Sequence, residues 1–100
     1  MSDKVFTHAE IIALVKPIAE RYGIRAIYLF GSYARGEADS KSDLDFLVYG
    51  GEGFKLTRIF AFAEELRTVL QKAVDVFEIH EVNMDSDFYK TIMAERVLVA

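Results

Sequence analysis

Two short apolar runs, RAIYLF at 25–30 and LDFLVY at 44–49, flank the segment GSYARGEADSKSD, which is rich in small and polar residues. The first run is β-branched and aromatic and stops at Gly31, the pattern of a strand that leads directly into a loop. The second alternates. On a strand, Leu44, Phe46 and Val48 share one face, while Asp43, Asp45, Leu47 and Tyr49 share the other, so both carboxylates project the same way. Any fold for this chain must therefore be organised around a sheet that carries acid at one strand's start.

The flanking segments read as helices and one further strand. THAE at 7–10 has the form of a capping box, and Ile11, Ile12, Val15, Ile18 and Tyr22 follow at helical spacing, which predicts a helix from Thr7 to Tyr22. Pro17 removes the bond to the Ala13 carbonyl, so a kink or break is expected there, and Gly23 suits a left-handed helix end. After the GGEG turn, residues 54–73 carry Leu56, Ile59, Phe60, Ala63, Leu66, Val69, Leu70 and Ala73 at intervals of three and four, an amphipathic helix. VDVFEI at 74–79 reads as a strand with Val74 and Val76 toward the core and Asp75 opposite, and a short helix is expected from Ser86 to Arg96. The apolar end, RVLVA, fits an edge strand or a partner contact. The order α, β, β, α, β, α predicts an α/β (α+β) fold, a small mixed β-sheet flanked by helices.

No repeat, linker or low-complexity segment divides the chain, and 100 residues suit one domain that buries roughly two-thirds of its extended-chain surface. Sixteen acidic residues against twelve basic ones give a net charge of −4, which disfavours direct nucleic-acid binding. Cysteine is absent, which excludes a disulfide framework, a thiolate nucleophile and a cysteine zinc site. The N-terminal MSDKVFTHAE lacks a signal-like apolar run, and IFAFA is far too short to span a bilayer, so a soluble cytoplasmic protein without membrane association is expected.

Chemistry is concentrated around residues 31–45. Asp43 and Asp45 lie two residues apart on a strand, roughly 6.5–7 Å between Cα atoms, so their side chains can converge on one cation. Two ionised carboxylates about 5 Å apart repel by roughly 3 kcal/mol at an effective dielectric of about 20, and a divalent ion or a shared proton relieves this. Oxygen donors favour magnesium or manganese over zinc. Taken alone, such a pair also fits solubilising surface. Gly31 and Ser32 at the end of a strand can offer backbone N–H groups and a hydroxyl to phosphate, the more so if residues 32–36 begin a helical turn, although a glycine turn capped by serine would have the same sequence.

Together, Gly31-Ser32, ten residues, Asp43-x-Asp45 and a later Asp75 resemble the DNA polymerase β-type nucleotidyltransferase superfamily. The stretch GSYARGEADSKSDLDFLV is similar to the minimal nucleotidyltransferases, whose pattern is approximately GSxARGxAxxxSDxDLxV, and it departs from that pattern only at Phe46, on the core-facing side. The resemblance implies a polymerase β-like fold over residues 1–100 as a single minimal nucleotidyltransferase domain. It implies that Gly31 and Ser32 hold nucleotide phosphates, and that Asp43, Asp45 and Asp75 are the catalytic carboxylates and ligands of Mg2+ or Mn2+, with Asp75 helping to activate the attacking hydroxyl. Arg35 either contacts phosphate or pairs with Glu37, Asp39 or another nearby acid.

The implied reaction is two-metal transfer of a nucleotidyl group, with pyrophosphate leaving. Minimal members of the family resemble antitoxins paired with HEPN-domain ribonuclease toxins, and some transfer AMP from ATP to a tyrosine of the toxin. The leading expectation is thus an antitoxin that adenylylates a HEPN toxin, in a homo- or hetero-oligomer. The competing expectation is a non-catalytic module that neutralises its partner by masking it. Transfer to a small molecule such as an aminoglycoside is less favoured, because no residues remain to build an acceptor domain. His8 and His80 lack metal-ligand spacing and read as surface or capping groups, and Phe54, Phe60, Phe62 and Phe77 read as core or interface.

Overall fold

The computed structural model describes residues 3–100. Helix α1 (His8–Arg21) leads to strand β1 (Ala26–Phe30), a single helical turn α2 (Ser32–Arg35) and strand β2 (Leu44–Tyr49). Helix α3 (Arg58–Leu70), strand β3 (Val74–Glu78), a 3₁₀ turn (Ile79–Glu81), helix α4 (Asp87–Glu95) and strand β4 (Val97–Leu98) follow. The sheet is mixed, in the order β3-β2-β1-β4. β1 runs antiparallel to both β2 and β4, whereas β2 and β3 are parallel. The apolar C-terminal run is an edge strand, as its composition suggested.

The capping box forms as the sequence predicts: Thr7 accepts from the Glu10 amide and Glu10 accepts from that of Thr7. Of the kink or break expected at Pro17, the break does not occur, since α1 is continuous across it. A proline inside a helix costs about 3 kcal/mol, while Ile11, Val15 and Ile18 of the same helix are buried, at about 1.5–3 kcal/mol each. Burial outweighs the missing bond. Gly23 takes the left-handed conformation (φ 66°) just beyond the helix, as expected. The third helix starts later than its periodicity suggests. Phe54 turns back so that its ring lies on Gly50, where a Cβ would collide with it, and Leu56 is left about half exposed.

One sheet face presents Ile27, Leu29, Leu44, Phe46, Val48 and Val74 to α1 and α3, which contribute Ile11, Val15, Phe62 and Leu66 to the main core. The opposite face, which carries the carboxylates, is not left bare. Phe30 and Leu47 are buried beneath Val82 and Ile92, with Tyr28, Tyr49, Phe77 and Tyr89 around them. The segment from the 3₁₀ turn through α4 thus covers the carboxylate-bearing face as far as Phe30, opposite Asp45, and leaves Asp45 half-buried and Asp75 exposed.

Two polar groups inside this packing were not anticipated. Glu78 is 1% exposed, and its carboxylate accepts from the Gly50 amide, the His80 amide and His80 Nδ1. Tyr33, in α2, is buried, and its hydroxyl has no partner among the described residues. A buried hydroxyl without a hydrogen bond costs about 1–3 kcal/mol. Tyr33→Phe is therefore expected to leave stability unchanged or raise it by about 1 kcal/mol, read as an equal or higher urea midpoint; a clear fall would mean that the hydroxyl is satisfied in solution.

Candidate active site

The β1–β2 register places Phe30 opposite Asp45, and the β2–β3 register places Asp45 opposite Asp75. Adjacent strands are about 4.8 Å apart, so the two carboxylates are cross-strand neighbours on one face. Asp43, just before β2, is exposed, Asp45 is half-buried and Asp75 is exposed. The alternation read from LDFLVY thus holds residue by residue.

Gly31 ends β1 with φ 77° and ψ −157°, a conformation that favours glycine. A Cβ at this position would overlap Oδ2 of Asp45, so the missing side chain is also what lets the carboxylate lie against the turn. The expected role of its amide needs correction. The Gly31 N–H donates to Glu95 Oε1 at 2.8 Å and so is not available to a phosphate. Donors begin one residue later. Arg35 N bonds to Gly31 O as the first bond of α2, and the amides of Ser32, Tyr33 and Ala34 and the Ser32 hydroxyl have no partner among the described residues.

Arg35 forms the pairing expected of its structural alternative, with Nε 3.1 Å from Glu37 Oε2 and Nη1 3.1 Å from Glu95 Oε2. These bonds, that to Glu37 first, hold its guanidinium above the usual arginine range. Glu95 escaped sequence reading, because its partner Gly31 lies 64 residues away and nothing in MAERVL marks it. The two histidines are peripheral. His8 Nε2 donates to the Tyr33 carbonyl at 2.6 Å, and His80 is largely exposed.

Burial, then the charge of Asp75, then that of Asp43, push the Asp45 carboxyl up to about 6, with Arg35 opposing. A like-charged cluster of oxygen donors at a strand end suits a hard divalent cation, which would lower that value again. Among the described residues no group of three or more acidic or imidazole side chains is gathered closely enough to hold an ion as it stands. The donor chemistry of Asp43, Asp45 and Asp75, oxygen only, is of the kind that magnesium or manganese takes. On the β3 side, a cavity of about 390 Å3 reaches Asp75 and is lined by Phe60, Ala63, Arg67, Val76 and Phe77. A second, of about 640 Å3, lies at the other end of the sheet around Tyr28, Tyr49 and His80, away from the carboxylates.

The raised Asp45 value has a defined consequence for the metal-free protein. The native state keeps its proton up to about pH 6, whereas the unfolded chain releases it near the ordinary 3.8, so this group lowers stability progressively as pH rises from about 4 to 6 and fully above that. Asp45→Asn removes the penalty. Its Tm, measured with a chelator present, is expected to exceed that of the wild type at pH 7–8 and to match it near pH 4; an equal difference at both pH values would contradict the coupling.

Residues 14–100 match the family model of the polymerase beta nucleotidyltransferases. A Thermococcus cleftensis protein named protein adenylyltransferase MntA is 38% identical over 84 residues, which are 84% of this chain and 83% of that one. A Methanocaldococcus jannaschii protein classed as a protein adenylyltransferase is 39% identical over 74% of this chain and 80% of its own. Among solved structures, one described as a minimal nucleotidyltransferase superposes with a TM-score of 0.74 at 26% identity, covering 92% of this chain and 95% of that one. A toxin-antitoxin complex with AMP-PNP gives 0.76 at 19% identity, over 89% and 72% of the two chains, and shares the fold. With the glycine turn against Asp45, the Asp45–Asp75 pair and this match in place, the chain belongs to the polymerase beta nucleotidyltransferase family, has its minimal fold and is a nucleotidyltransferase.

Proposed function

We propose that this protein transfers AMP from ATP to a hydroxyl of a partner protein, a tyrosine of a HEPN-type toxin, and so acts as an antitoxin. The observation that carries the reading is the juxtaposition of three parts: the Gly31-Ser32 turn directly after β1, Asp45 against Gly31, and Asp75 opposite Asp45 on β3. The Thermococcus cleftensis relative named a protein adenylyltransferase supports the reaction, and a structural neighbour described as an MNT antitoxin bound to a tri-AMPylated HEPN toxin supports the partner, as a likeness of fold at 16% identity.

Strand order sets the direction of the chemistry. Ser32 and the α2 amides, at the end of β1, hold the outgoing phosphates; Asp45 on β2 lies beside the α-phosphorus; Asp75 on β3 faces the acceptor. In-line displacement needs attacking and leaving oxygens on opposite sides, and the strand order β3-β2-β1 supports such an arrangement. The acceptor oxygen forms a bond to the α-phosphorus, the bond from that phosphorus to the bridging oxygen breaks, and pyrophosphate leaves. The acceptor proton passes to the Asp75 carboxylate, and the cavity lined by Phe60 and Phe77 receives the acceptor's apolar part. Asp43, Asp45 and Asp75 would hold Mg2+ or Mn2+, which when bound supplies charge neutralisation at the phosphates and a lowered acceptor pKa.

Masking is the second reading, favoured by exposed Phe60 (78%), Met84 and Leu98, which suit a protein interface with or without catalysis. The two separate in one experiment. The protein and its co-purifying partner are incubated with Mg2+ and ATP labelled at the α or the γ phosphate. Retention of α label alone on the partner, lost in Asp43→Asn/Asp45→Asn, is expected; γ label would mean phosphoryl transfer, and neutralisation by the double variant without any label would establish masking. Asp75→Asn is expected to lower kcat about 10²–10⁴-fold while leaving ATP affinity within severalfold.

A further inference from the structure

Glu95 closes α4, and β4 begins two residues later. β4 pairs with β1 through Leu98 opposite Tyr28 and Val97 opposite Leu29. Continued by two residues, that antiparallel register sets Glu95 opposite Gly31. The backbone ladder has ended there, and the Glu95 carboxylate takes its place: Oε1 accepts from the Gly31 amide at 2.8 Å, while Arg35 Nη1 reaches Oε1 at 3.2 Å and Oε2 at 3.1 Å. One side chain thereby ties both ends of the GSYAR turn to the C-terminal segment. The Glu95 side chain is 17% exposed, against 42% for Arg35, so it is the inner member of the pair. The remaining bonded arm of Arg35, Nε, is taken by Glu37.

We propose that Glu95 is a positioning residue of the nucleotide site: by fixing the Gly31 amide and the Arg35 guanidinium it sets the start of α2, aiming the Ser32 hydroxyl and the free amides of the turn at phosphate, and Arg35 acts through Glu95 rather than on the nucleotide. This rests on the nucleotidyl-transfer reading of the same site. Gly31 has a left-handed backbone that costs glycine little to leave, so without an anchor on its amide the turn has other conformations of similar energy. The Gly31 bond is charge-assisted and part-buried, and losing such a bond costs about 1.5–3 kcal/mol, equivalent to a ten- to hundredfold loss of affinity if the turn must re-form on binding.

The test measures binding of an N-methylanthraniloyl derivative of ATP with Mg2+, without acceptor, to the full-length wild type, Glu95→Gln, Glu95→Ala, Arg35→Ala and the Glu95→Ala/Arg35→Ala double variant, with the Gly31 amide proton shift and Tm recorded for each. Glu95→Ala is expected to weaken binding about tenfold or more and to move the Gly31 amide upfield, Glu95→Gln, which still offers an acceptor, is expected to lose less, and the double variant to bind no worse than Glu95→Ala alone. If Glu95→Ala does not fold, Glu95→Gln decides by the same criteria, its binding being expected to fall at least threefold. Wild-type affinity in the folded Glu95 variants would overturn the positioning role, as would a full further loss from Arg35→Ala on the Glu95→Ala background, which would place Arg35 directly on phosphate. A wild type that binds no ATP derivative would instead overturn the nucleotide reading, and the positioning role with it.

Discussion

The whole site depends on the close approach of Asp45 to a residue without a side chain. Gly31 has to be glycine twice over: its φ is positive, and any Cβ would occupy the position of Asp45 Oδ2. That contact exists because Phe30 and Asp45 are paired across β1 and β2, and the pairing is fixed in turn by burial of Leu44, Phe46 and Val48 against the helices. A slip of one residue would put the acidic side chains in the core and the apolar ones outside, so core packing and site geometry are held by the same register.

Electrostatics and cover divide the second face of the sheet between them. Leu47, in the middle of β2, and Phe30, opposite Asp45, are sealed by Val82 and Ile92. The last helical residue of that cover is Glu95, a carboxylate that also raises the Asp45 pKa. The C-terminal segment therefore does two things in one pass, burying apolar surface and bracing the turn that precedes α2. Removing the apolar cover would expose Phe30 and Leu47; removing Glu95 alone would leave that packing and free the Gly31 amide.

What could be read from the sequence was local or periodic. The capping box, the alternation in LDFLVY, the edge character of RVLVA and the spacing from Gly31-Ser32 to Asp43 and Asp45 depend on neighbours within a few residues, and each is where it was expected. The continuity of α1 through Pro17 was not legible, because the burial of Ile11, Val15 and Ile18 that offsets the proline is provided by packing against elements distant in the chain. Nor were Glu95 and Glu78, since a glutamate's spacing does not distinguish a solvated carboxylate from one that accepts a distant amide. The Gly31 amide was assigned to phosphate for the same reason. A glycine before serine signals a turn, but what its N–H bonds to is decided by Glu95, 64 residues later in the chain.

The charge at this site has one further implication for how it is loaded. Asp43, Asp45, Asp75 and Glu95 all act on one small region, and Asp45 takes up a proton near pH 6 because of its burial and these neighbours. Arg35, the cation acting on Asp45, is already paired with two carboxylates. Such a region repels a triphosphate by itself, so on the proposed reading nucleotide and divalent cation would bind it together: the cation would remove repulsion between the carboxylates and the phosphates, and the phosphates would add oxygen ligands to a site whose side chains, among the described residues, are not gathered around an ion. Linkage makes this coupling reciprocal, each component raising the affinity for the other by the same factor. The raised carboxyl of Asp45 is then the sign, in the metal-free protein, of a repulsion that a bound cation would relieve.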